Sequence, residues 1–119
     1  MNAISQLIAQ AIAKAWIHIS KIFIAVIIDI VVNFLNDVVK YFQSLALKKG
    51  VHKPFIIDAS AQEAKMFDDL IPQGKKDGII EGVFNEKTED IDSIRYIGGE
   101  GVDQCTKEII EKDPIVVLN

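Results

Sequence analysis

The residues able to do chemistry are few and scattered. Gly98, Gly99 and Gly101, with Glu100 among them, follow an apolar run and precede a helix-like one. Backbone N–H groups in such a loop can cradle a phosphate or carboxylate. The loop lacks the Lys-Ser/Thr of a nucleotide P-loop and the full dinucleotide fingerprint, and Glu100 and Asp103 would repel an anion. A tight turn needing positive φ is the competing reading. The acidic run Glu86, Glu89, Asp90 and Asp92 could touch a cation, but it has neither the glycine nor the ligand spacing of a calcium loop and reads as a solvated turn. Lys75-Lys76 reads the same way.

Nucleophiles and bases stand alone. Neither His18 nor His52 has a Ser, Cys or carboxylate partner fixed by spacing, and no Cys/His cluster has zinc spacing. Cys105 falls on the apolar side of an amphipathic stretch, as a small buried hydrophobe does. The single cysteine excludes an internal disulfide and fits a reducing compartment. These residues predict no catalytic set, no cofactor and no metal site; the chain reads as a non-enzyme.

A second pattern is physical. Polar residues recur at Gln10, Lys14, His18, Lys21, Asp29, Asn33, Asn36, Lys40 and Gln43, with Ala25 filling one gap. From Gln10 to Gln43 that is about 3.67 residues per step, a helical and hendecad-like period. Residues 2–49 contain no Pro or Gly to force a stop. The pattern predicts one helix over residues 4–47, roughly 65 Å long. Locally, residues 22–28 are rich in β-branched types and would also suit a strand. Leaving ten of the large apolar side chains of this helix in water would cost about 15–30 kcal/mol, so it requires a cover. Lys14, His18, Lys21, Asp29, Asn33, Asn36 and Lys40 are the expected assembly stripe of a self-associating bundle, tube or filament. The alternative is a membrane-inserted or membrane-associated anchor or pore. No uncharged run reaches the usual 18 residues of a span.

The expected partners are therefore further copies of the chain or a lipid bilayer. A secretory signal is not evident, so a cytoplasmic or membrane-associated location is favoured over secretion. Net charge is −4, divided unevenly. Five Lys against two Asp give residues 1–49 a charge of +3, and eight bases against fifteen acids give residues 50–119 a charge of −7. An acidic globular part argues against nucleic-acid binding.

After Gly50, which ends the helix, the order is strand at 55–58, helix opened by a Ser60…Glu63 capping box, strands at 79–85 and 91–97, helix at 102–112 and strand at 115–118. The fold class expected is α+β: a long N-terminal apolar helix, residues 1–49, followed by a small β-α-β-β-α-β domain in ferredoxin-like order, residues 50–119. The last strand, apolar on both faces, suits a central position more than the edge this arrangement assigns it.

Overall fold

Strand-forming residues dominate Ile24–Val32, and their preference for extended backbone prevails over the helical period. The computed structural model describes residues 6–12, 24–68, 71–72 and 74–118. Among these, five strands form one mixed sheet: β1 (Ile24–Val32), β2 (His52–Asp58), β3 (Gly78–Asn85), β4 (Asp90–Val102) and β5 (Ile115–Val117). The spatial order is β1-β4-β3-β2-β5. β1 runs parallel to β4, and the other neighbours are antiparallel.

The long apolar helix expected over residues 4–47 is not formed. Residues 6–12 are helical (α1), residues 24–32 are β1, and after β1 the chain enters a π-helical turn, Phe34–Val39, that runs into α2 (Lys40–Ser44). No Pro or Gly makes the break. Asn33 does, by accepting from the Asn36 amide at 3.0 Å while its own amide donates to Asp37 Oδ2 at 2.7 Å. The continuous helix-borne surface expected to drive a bundle or filament is therefore absent among the described residues. No helix among the described residues is long and apolar enough to cross a membrane.

The ferredoxin-like order fails as well. That arrangement needs a crossover between parallel strands, which takes a dozen or more residues, usually a helix. Among the described residues of the β2–β3 connection there is only a 3₁₀ segment, Gln62–Phe67, so β3 returns antiparallel beside β2. Ser60 caps no helix: its amide and hydroxyl both donate to Asp58 Oδ1. β5 lies at an edge, bound only to β2. The sheet crosses the boundary expected at residue 49, because β1 belongs to it.

Both faces of the sheet are covered over its central strands, β2 and β3, whereas Val26, Ile27, Ile28 and Val31 of β1 are exposed. Phe55 and Ile57 of β2 and Ile80 and Phe84 of β3 pack beneath Ile8 and Ile12 of α1 and Ala64 and Phe67 of the 3₁₀ segment. On the opposite face Ile56, Ile79 and Val83 pack beneath Val38, Phe42 and Ile110, the last from α3 (Gln104–Lys112). Alternation along each strand sends successive side chains to opposite cores.

Two adjustments keep β1 and β4 in register. From Ile27 to Ile30, β1 spends three residues where β4 spends two, and from Ile30 to Val32 the imbalance reverses. Asp29, at φ 66, carries the first bulge; Gly101, at φ 105, lies within the second. Beyond them Asp103 fastens three elements. Its amide donates to Val32 O at 2.7 Å, Oδ2 accepts from the Phe34 amide at 3.1 Å, and Oδ1 accepts from the Thr106 amide at 2.9 Å. Burial pushes this carboxyl up, but the bonds from Thr106 and Phe34 together hold it below the usual carboxylate range.

Asp103→Ala is expected to lose about 1–3 kcal/mol of stability at pH 7 in urea unfolding, since it orphans the amides of two helix starts. The contribution of the carboxylate is in place above pH 3.8, the ordinary value, and fades as pH falls through its lower native value, so variant and wild type should converge in acid. Gly82 faces Phe55 across the β2–β3 pair, and a Cβ there would strike the ring. Gly82→Ala should therefore lower the urea midpoint by the equivalent of about 1–3 kcal/mol; an unchanged midpoint would show that the ring can move aside.

Candidate functional site

The helical segment 34–44 lies on one face of the sheet, with a buried polar cluster beneath it and an open groove along one side. The groove begins where the chain leaves α2. Ala46, at φ 51, and Gly50, at φ 82, turn the connector back on itself. The turn closes around Lys48, whose carbonyl accepts from the amides of Val51 at 3.1 Å and His52 at 2.9 Å. The Lys48 amide donates to His52 Nδ1 at 2.9 Å, and His52 Nε2 lies 3.7 Å from Asp92 Oδ2.

Between this turn, the helical segment and the β2–β5 edge lies a cavity of about 1080 Å³. Phe34, Val39, Phe42 and Leu47 form one wall, and Pro54, Val117 and Leu118 the other. Lys48, Lys49, His52 and Lys53 line its end, with no Asp or Glu in the lining among the described residues. In a chain of net charge −4 that is a local reversal of sign.

The cluster beneath the same segment is built on the β3–β4 register, which sets Glu81 opposite Arg95. Glu81 is 0% exposed. Its Oε1 accepts from Arg95 Nε at 2.8 Å, and its Oε2 has no hydrogen-bond partner among the described residues. Arg95 also donates to Asp37 O at 3.1 Å, and its guanidinium lies 3.5 Å from the centroid of the Tyr41 ring. Burial pushes the Glu81 carboxyl up to about 7 against the bond and charge of Arg95, and Asp37 adds to the rise. Burial likewise pushes the Tyr41 hydroxyl up, with Arg95 opposing and Glu81 reinforcing the rise.

The residues singled out from sequence are dispersed. Lys14, His18 and Lys21 lie outside the described residues. Asp29 sits in the β1 bulge and pairs with Lys75 Nζ at 2.7 Å; Asn33 caps the π-helical turn; Asn36 and Lys40 are exposed on the helical segment. They do not share one helical face. Gly98, Gly99 and Gly101 belong to β4 and not to a free loop. The amides of Gly99 and Gly101 both donate to Asp77 O, at 2.9 and 3.0 Å, and Lys75 reaches Glu100 at 3.4 Å. Cys105 is exposed, because capping by Asp103 turns Thr106 and Ile110 inward instead. Among the described residues no three His, Cys, Asp or Glu side chains converge on a metal position.

Neither Glu81 nor the groove was identified from sequence. A charge inside the apolar run 79–84 was the available sign of the first, and the Lys-Lys-Gly-Val-His-Lys run of the second. The fold and site define a small α/β domain with a two-faced mixed sheet and a cation-rimmed apolar groove. No protein-family model, curated protein or solved structure matches this chain.

The native state binds the Glu81 proton more tightly than the unfolded chain does. The stability this contributes is fully present below pH 4.5 and is lost as pH rises through about 7, a change of about 3 kcal/mol. Glu81→Gln should remove this component from the difference between stability curves recorded from pH 4 to 8. Arg95→Met should cost about 3–5 kcal/mol at pH 8, where it strands a buried carboxylate, and clearly less at pH 5, where the carboxyl is neutral. Equal losses at both pH values would mean that Glu81 does not titrate in this range.

Proposed function

We propose that the protein binds an amphiphile with an unbranched apolar body and an anionic head, holding the body against Phe34, Phe42, Leu47 and Leu118 and the head near Lys48, Lys49 and His52. The observation that carries this reading is the composition of the groove: apolar walls closed at one end by cations, with no acid in the lining of an acidic chain. A cavity of about 1080 Å³ is large enough for such a molecule, since ligand pockets run to roughly 300–1,000 Å³. The role is that of a carrier or sensor. Binding is the whole activity, and no reaction step is assigned to the groove.

Apolar contact supplies most of the affinity in such a site, at about 0.8 kcal/mol per buried CH₂. The lysines supply orientation and select the sign of the head group. Dodecanoate is the direct probe. Titrated below its micelle-forming concentration, it should shift the amide signals of residues 42–54 and 117–118, whereas dodecyltrimethylammonium should not. The double variant Lys48→Glu/Lys49→Glu should weaken dodecanoate binding by about tenfold or more. Equal shifts from the two amphiphiles would reject the assignment of the cationic rim. No shift from either would reject the groove as a binding site.

A further inference from the structure

We propose that Glu81 and Arg95 form a proton-operated latch that seats the helical segment 34–44, and with it one wall of the groove, on the sheet. The effect on ligand rests on the groove reading above; the latch itself does not. Arg95 ties β4 to the helical segment by two contacts, Nη2 on the Asp37 carbonyl and the guanidinium face on Tyr41, while its Nε binds Glu81 of β3. Among the described residues the titratable or charged groups facing Glu81 are Arg95 from β4, Asp37 from the π-helical turn and Tyr41 from α2. From β2 and α3 the neighbouring core side chains on this face are the apolar Ile56 and Ile110.

A neutral Glu81 tolerates this dry setting. An ionised one leaves Oε2 charged and fully buried without a donor among the described residues, with the Asp37 carboxylate adding repulsion. Water supplies a donor to this oxygen only where the cover parts. The Arg95 contacts make the helical segment the cover over this pair, so ionisation favours lifting that segment. Phe34, Val39 and Phe42 ride on it, so lifting dismantles a groove wall. Low pH seats the wall and high pH releases it.

Amide hydrogen exchange across α2 tests the latch without a ligand. After correction for intrinsic exchange, protection of residues 40–44 should fall by about tenfold or more between pH 5.5 and pH 8 in wild type. In Glu81→Gln it should stay level. A level wild type, or a fall that persists in Glu81→Gln, overturns the proposal. Should Glu81→Gln lose the protection of β3, Asp37→Asn takes its place. Removing that charge must move the midpoint of the fall to lower pH, and an unmoved midpoint again overturns the latch. Dodecanesulfonate, ionised throughout, is then titrated at both pH values. Affinity falling in parallel with protection in wild type supports the coupling. If protection falls as expected and the amphiphile binds at neither pH, the groove reading fails and the latch stands. If it binds equally at both and protection is level, the latch fails and the groove reading stands.

Discussion

One carboxylate holds the corner on which the architecture turns. Asp103 stands where β4 ends, and within its reach β1 stops, the π-helical turn starts and α3 starts. A helix start leaves amides without intrahelical acceptors, and two such starts meeting in one place would be costly to bury. Sharing one acidic side chain between them removes that difficulty. It also sets the direction in which the segment 34–44 departs over the sheet. Everything on that face follows: the cover over Glu81, the wall of the groove and the turn around Lys48.

Having two cores imposes its own demand. β2 and β3 bury both faces, so a polar side chain on either strand is sealed in unless a partner crosses from a neighbour. Glu81 obtains half of what it needs from Arg95 and lacks the rest. The groove is the complementary case. At the β2–β5 edge the cover is incomplete, and apolar side chains of the same core meet a cationic turn in the open. The buried Glu81–Arg95 pair and an uncovered apolar surface thus lie under one helical segment.

Much of the strand content was legible. The apolar runs of β2, β3 and β5 and the hairpin between β3 and β4 stand out because buried strands leave little room for polar residues. The N-terminal third was misread for a physical reason. Its polar residues fall at helical spacing, yet they serve different ends: Asp29 fills a bulge, Asn33 caps a turn, and Lys40 joins two helical pieces. Periodicity records where polar residues lie and not which backbone carries them. The β-branched density of Ile24–Val32 was the truer signal, and its partner on β4 lies about seventy positions away, where no local window reaches. The glycines of β4 were legible as positive-φ positions. Their amides turned out to face Asp77, a contact set by tertiary structure alone. Glu81 stood in an apolar run, but its cross-strand mate depends on register, and the groove depends on a turn whose closure no single residue announces.

The parallel pairing of β1 with β4 has a consequence for how the chain is made. Ile24 is matched with Ile94, so seventy further residues must be synthesised before the pairing is complete. At roughly 5–20 residues per second, β1 waits about 4–14 s outside the ribosome without its partner. Its sequence, IAVIIDIVV, has the β-branched density and low charge of an aggregation-prone segment. Asp29 is the one charge within it, and it interrupts the run near its middle. The same residue that later accommodates the bulge thus sets a charge in a run that would otherwise favour strand pairing between nascent chains.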